Sequence, residues 1–271
     1  MKGWQIVMDN CTLDKLHGIQ LEILDVIVSL CKANGITYYL AGGSVLGAIR
    51  HKGIIPWDDD IDVMMYRDDF IKFEEICKNQ LPKDYFYQSI NTDPHYHHIF
   101  SKIRKNNTLF IEKETEATGQ HNGIFVDIFP IDSAKNETGI QHFQYLISNK
   151  IEKMCKVKDG ITKGNYFDRI IICLFDYRKL IRIQNYILTN SNTKSNSNKY
   201  YVNFGSQYGI KKQTMLKSVY YPPIEVKFEG RMCCIPNNYD YYLRRLYGDS
   251  YMELPPVEKR VTHNPLKIKF D

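Results

Sequence analysis

The segment Tyr38–Met65, YYLAGGSVLGAIRHKGIIPWDDDIDVMM, constrains this chain more than any other. An apolar run enters Gly42-Gly43-Ser44, a helix is expected from Ser44 through Arg50, and Asp58-Asp59-Asp60-Ile61-Asp62 then leads into a second apolar run. Strand, glycine turn, helix and strand in that order point to an α/β architecture. The acids are the anomaly, because a carboxylate in a strand is costly to desolvate unless something binds it. Residues two apart in a strand share a face. With a strand expected over Asp60–Met65, Asp60 and Asp62 point one way while Ile61 and Val63 point the other. Two carboxylates on one face can clasp Mg2+ (or Mn2+) and leave positions free for phosphate. Asp58 and Asp59 read equally well as supports or as solvated loop residues.

A second acid has a similar setting. Asp127 is the one charged residue in Ile124-Phe125-Val126-Asp127-Ile128-Phe129. If that strand lies beside Asp60–Met65, Asp127 completes a three-carboxylate cluster. It could then bind metal or accept the proton of an attacking hydroxyl. The bland reading of any one such acid is a structural ion pair.

Gly42-Gly43 lets backbone approach a phosphate with no Cβ in the way. Ser44, as the expected N-cap, would add a hydroxyl and the first helical N–H groups, which favour anions. GxxxxGK[ST] and GxGxxG are both absent, so neither a P-loop nor a Rossmann site is supported.

The remaining chain fits a mixed sheet flanked by helices. Thr12–Asn34 has helical periodicity, with Thr12 as cap and Gly35 as stop. Strands are expected at Ile36–Leu40, His97–Lys105 and Gly123–Phe129, and a helix at Arg67–Gln80. Helical pattern dominates Gly139–Thr189, broken near Lys163–Asn165, and SNTKSNSN (191–198) reads as a loop. Ile224–Phe228 and Arg231–Ile235 flank Glu229-Gly230 as a hairpin, followed by a short helix over Asn238–Tyr247. The expectation is one domain: a catalytic core at about 12–134, a helical insertion at about 139–190, and a C-terminal hairpin-helix element at about 200–271.

Net charge is +5, without a long basic tract. That suits an anionic substrate or membrane surface, and no nucleic-acid motif appears. Seven cysteines without CxxC spacing, and an N-terminus without an apolar signal region, lead to the expectation of reduced thiols in the cytoplasm. The longest apolar run, Ile170–Phe175, is too short to span a bilayer, so any membrane association is expected to be peripheral, at the inner membrane surface.

GGSVLGAIRHKGIIPWDDDIDV resembles the signature of the LicD family, whose nucleotidyltransferase fold is of the DNA polymerase β type. Ser101–Arg104, Gly123–Pro130, Phe228-Glu229-Gly230, Tyr247-Gly248-Asp249 and the stretch from Pro255 to His263 look like its later blocks. The family includes phosphocholine transferases, and fukutin-type ribitol-phosphate transferases carry a related domain. The resemblance implies transfer of an alcohol phosphate from a CDP-alcohol such as CDP-choline to a glycan or lipid-linked oligosaccharide, with release of CMP. The acceptor could be lipopolysaccharide, teichoic acid or capsule. It also implies that Asp60 and Asp62 bind the metal, that Asp127 is the third carboxylate, and that Gly43 and Ser44 hold donor phosphates. A true nucleotidyltransferase, releasing pyrophosphate, is the alternative.

Supporting residues carry two readings each. Arg50 either grips phosphate or pairs with Asp58 or Asp59. Lys102 and Arg104 either reach donor phosphate or form a basic edge. Trp57 either stacks on cytosine or a choline head group, or packs its loop. Arg260 and His263 either fold back over the site or take no part, with His263 also a candidate base. His95, His97 and His98 lack zinc-ligand spacing and read as loop and strand residues. The helical stretch Gly139–Thr189 is expected to face the acceptor.

Overall fold

The computed structural model describes residues 9–116, 118–135, 139–158, 160–174, 177–189, 198–260 and 265–271. Helix α1 (Asn10–Asn34) presents Leu16, Ile23, Leu24 and Ile27, all fully buried, at helical spacing. Asp9, not Thr12, caps it: its side chain accepts from the Thr12 amide at 2.7 Å, and Gly35 closes the other end at φ 62°.

Strand β1 (Tyr38–Leu40), helix α2 (Gly42–Arg50), strand β2 (Asp62–Tyr66) and helix α3 (Arg67–Gln80) follow. Next come β3 (Tyr85–Gln88), β4 (Ser101–Lys105), β5 (Leu109–Ile111) and the ten-residue β6 (Phe125–Ala134). The main sheet has the order β1-β2-β6-β4-β3. β2 and β6 run parallel, and the other neighbours in that order are antiparallel. Helices α1 and α3 pack on it, over Val63, Ile103, Val126 and Ile128, which are fully buried.

Several boundaries differ from expectation. The second strand begins at Asp62 rather than Asp60, although the Ile61 carbonyl already accepts from the Asp127 amide at 3.0 Å. The 97–105 strand shortens to β4, because Pro94 and its neighbours form turns up to Phe100. β6 continues past Phe129 because a new partner takes over its far half: β7 (Tyr200–Val202) pairs with Asp132–Ala134.

The expected helical stretch resolves into α4 (Ile140–Lys158), α5 (Tyr166–Leu174) and α6 (Tyr177–Thr189). Ile151, Met154 and Cys155 of α4 meet Leu180 and Ile181 of α6 in a small core separate from the main one. Most of the expected 191–198 loop lies outside the described residues. Helix α7 (Ile210–Gln213) and β8 (Thr214–Leu216) precede the hairpin of β9 (Ile224–Phe228) and β10 (Arg231–Ile235). Helix α8 (Tyr239–Tyr247) is capped by the Asn238 side chain, and β11 (Lys267–Lys269) pairs with β5.

The hairpin turn supports the loop ahead of the acids. Glu229 Oε1 accepts from the Ile54 amide at 3.0 Å, and the Glu229 amide donates to the Lys52 carbonyl at 3.0 Å. A Cβ on Gly53 would overlap that carboxylate, which explains the glycine.

Candidate functional site

The acidic run hangs between α1 and α2. His17 Nε2 donates to the Asp58 carbonyl at 2.7 Å, and Gln20 Nε2 donates to the Asp59 carbonyl at 2.7 Å. Asp59 is fully buried. The Asp62 backbone is held by the start of α2 from both sides. Its amide donates to Ser44 Oγ at 2.9 Å, and its carbonyl accepts from the Ala41 amide at 2.9 Å. Ser44 is therefore not the N-cap; Ala41 occupies that position, and the Ser44 hydroxyl aligns Asp62 instead.

The glycines face the acids. A Cβ on Gly43 would stand 2.9 Å from Asp58 Oδ2, and one on Gly42, at φ +48°, would stand 3.3 Å from Asp62 Oδ2. Only glycine lets carboxylates approach the N-terminus of α2 so closely.

Across the sheet, Asp62, Asp127, Lys102 and Gln88 are successive register partners on β2, β6, β4 and β3. Register partners point to one face, so these four form a polar row. Lys102 Nζ lies 2.6 Å from Asp127 Oδ1 and 3.4 Å from the centre of the Phe125 ring. The contact is an ion pair without hydrogen-bond alignment, since Oδ1 has no hydrogen-bond partner. Among the described residues, no three His, Cys, Asp or Glu side chains stand close enough to hold a metal ion together. Asp60 and Asp62 line one cleft, and Asp127 stands next in register to Asp62 and meets Lys102.

That cleft holds about 700 Å³ and is lined by Gly43, Arg50, Trp57 and Asp58, Asp59, Asp60 and Asp62 on one side. The C-terminal half supplies the other side, with Gln207, Tyr208, Tyr247, Tyr251, Pro255, Pro256 and Lys259. The volume suits a nucleotide-sized ligand. Tyr208 Oη donates to Tyr247 Oη at 2.9 Å, and Tyr242 Oη accepts from the Gly42 amide at 3.0 Å. Burial pushes all three phenols up, and the Asp62 charge adds to it, so they stay protonated donors.

Arg50 Nη1 donates to the Tyr251 and Glu253 carbonyls, each at 2.9 Å, tying the C-terminal loop to α2. Burial lowers its pKa, and the Arg260 charge adds to that. Trp57 carries both guanidiniums, with Arg260 at 4.1 Å and Arg50 at 5.9 Å from its ring. Arg104 stands elsewhere: it is buried, bonded to Gln88 Oε1 and to the Gly123 carbonyl, and is not among the cleft-lining residues. His263 lies outside the described residues. His98 Nδ1 pairs with Glu152 at 3.4 Å, and His95, His97 and His98 all precede β4.

Gln207 and Tyr208 belong to none of the sequence motifs. Tyr208 sits in a stretch with no periodicity, and the abundance of tyrosine was the sole signal. Tyr247 stood in a recognisable block, but without an assigned role.

Residues 35–159 match the family model described as LicD/FKTN/FKRP, nucleotidyltransferase domain. Lipopolysaccharide cholinephosphotransferase LicD of Haemophilus influenzae is 31% identical over 269 residues, covering 95% of this chain and 97% of its own length. Ribitol 5-phosphate transferase FKRP of Homo sapiens is 46% identical over 55 residues, 20% of this chain and 11% of its own length. Near-complete coverage by the first relative extends the kinship past the matched domain to the cleft's C-terminal wall. The chain belongs to the LicD family.

Proposed function

We propose that this protein transfers a phosphocholine-like alcohol phosphate from a CDP-alcohol to a hydroxyl of a cell-surface glycan, releasing CMP. The observation that carries this reading is the placing of Asp60 and Asp62 in one cleft with the glycine-rich start of α2. The names of the relatives, a cholinephosphotransferase and a ribitol 5-phosphate transferase, support the same reaction class.

The donor set fits a small hard cation: it offers oxygens alone, and Mg2+ is commonly held by one or two carboxylates plus substrate phosphates. Asp60 and Asp62 would hold it. When bound, Mg2+ or Mn2+ neutralises charge on the transferring phosphoryl group. The protein's own residues do the positioning on which phosphoryl transfer depends. Ser44 fixes Asp62 through its amide. Arg50, which lines the cleft, and Arg260, which stands over the cleft-lining Trp57, would meet the donor phosphates. Asp127 adds a carboxylate next in register to Asp62, and the Lys102 ammonium balances it.

The test is a panel of CDP-alcohols with and without candidate glycans, reading CMP. CMP release that needs acceptor, stops in EDTA and returns with Mg2+ supports the proposal. Pyrophosphate release from a nucleoside triphosphate would establish the nucleotidyltransferase alternative instead. Full activity in chelator would remove the metal from the account.

A further inference from the structure

Helix α5 carries apolar residues on its solvent side as well as on its inner side. Its inner side carries Asp168, fully buried and ion-paired to Lys150, with Ile171 and Ile172 packed toward the α4–α6 core. The opposite side carries Tyr166, Phe167, Ile170 and Leu174, exposed by 75%, 72%, 39% and 72%. A solvent-facing stripe is normally polar, and a contiguous apolar one marks a contact surface. Helix α6 turns Leu180, Ile181 and Leu188 inward, while Lys179, Arg182 and the 67% exposed Tyr186 stand outside.

Charge identifies the occupant. Residues 140–189 hold nine Lys and Arg against four Asp and Glu, so this segment alone carries +5, the net charge of the whole chain. The rest of the protein is neutral on balance. A second copy docking face to face would set these like charges against each other. An anionic surface would be attracted to them. Aromatic and aliphatic side chains flanked by Lys and Arg are the composition of helices that lie in a bilayer interface. Among the described residues no helix is long and apolar enough to cross a membrane.

We propose that the outer face of α5, which also exposes Arg169 and belongs to a helical segment of net charge +5, docks the protein on an anionic phospholipid surface. The inference is independent of the reaction chemistry, because docking requires neither donor nor acceptor.

The experiment is cosedimentation of the full chain with phosphatidylcholine vesicles, with and without phosphatidylglycerol. Binding is expected to the phosphatidylglycerol vesicles and to fall with added salt. Two paired variants, Phe167→Ser with Leu174→Ser and Lys179→Glu with Arg182→Glu, should each weaken it by about ten-fold or more. All four side chains are exposed, and unchanged circular-dichroism melting confirms that the variants fold. Failure to sediment with phosphatidylglycerol vesicles overturns the proposal, as does parental binding by both variants. A solution dimer that the Phe167→Ser, Leu174→Ser pair dissolves overturns it in favour of self-association.

Discussion

Asp62 and Asp127 are register partners across the parallel β2–β6 pair, although 65 positions separate them in sequence. That pairing sets two carboxylates side by side at the cleft end of the sheet. Lys102, next in register, lies 2.6 Å from Asp127 and offsets one of the two charges. Asp62 is left facing the cleft beside Gly42. In the proposed reaction Asp62 would hold the cation, and Asp127 stands one strand further in.

The two acids should therefore differ on substitution. Asp62→Asn should cut CMP release by at least about a hundred-fold, the scale of losing a key electrostatic group, with little change in melting temperature. Asp127→Asn should also lose turnover, and in addition leave the buried Lys102 ammonium without its counter-charge. It should lower stability by about 3 kcal/mol. Denaturant unfolding of both variants checks the split. Equal stability loss in the two would contradict the assignment of Lys102 to Asp127.

The glycine pair makes a second prediction. Gly43→Ala would put a methyl 2.9 Å from Asp58 Oδ2, so the acidic loop or α2 must shift. Activity should fall while the fold persists, because the displaced group is the cleft floor and not the core. Gly18→Ala is the internal control. That glycine is exposed in α1 with nothing within 4 Å of the added Cβ. The alanine should raise stability by about 0.5–1 kcal/mol through helix propensity, measured by urea denaturation, and leave turnover unchanged.

These examples show how much of the site the sequence made legible. The acidic run is visible in the sequence, and all four of Asp58, Asp59, Asp60 and Asp62 line the cleft, so alternation around the buried Ile61 does not separate them. Local pattern also located α3, the β9–β10 hairpin and the break between α4 and α5. It failed where a residue's role depends on a distant partner. Ser44 looked like a cap, but the Asp62 amide claims its hydroxyl across 18 positions. Arg104 looked like a phosphate contact, yet Gln88 and Gly123 hold it inside the sheet. The β7–β6 pairing, with the Tyr208 wall that follows it, comes from a segment whose short strands carry no strong periodicity.

Arg67 and Asp132 give a third prediction, and neither was singled out from sequence. Arg67 opens α3, and its Nε and Nη2 reach Asp132 Oδ1 and Oδ2 at 2.8 and 2.7 Å. The Asp132 side chain is wholly buried. The fork geometry is bidentate, and it ties the β2–α3 junction to the half of β6 that pairs with β7. Asp132→Ala should destabilise the fold by about 3–5 kcal/mol, since it strands a buried guanidinium. Replacing both partners with apolar residues of similar volume should restore much of that loss. A double-mutant cycle by chemical denaturation checks it. A loss below about 1 kcal/mol would put the pair in the class of surface bridges.

Glu152 on α4 supplies a prediction in pH. Burial pushes its carboxyl up, but the hydrogen bond and charge of His98, with the nearby Lys156, outweigh that and hold it down to about 2. An ordinary glutamate in the unfolded chain titrates near 4.5. The folded state therefore binds this proton less readily than the unfolded state. The stabilisation is complete above about pH 4.5 and is lost progressively as pH falls toward about 2. Glu152→Gln removes that acid-dependent contribution and leaves His98 and Lys156 with a neutral neighbour. Relative to the parent, the variant should be less stable at neutral pH, with the gap closing as the solution is acidified through that window. Urea unfolding at a series of pH values reads the difference directly. A gap that stays constant down to pH 2 would show that Glu152 acts through packing rather than through its charge.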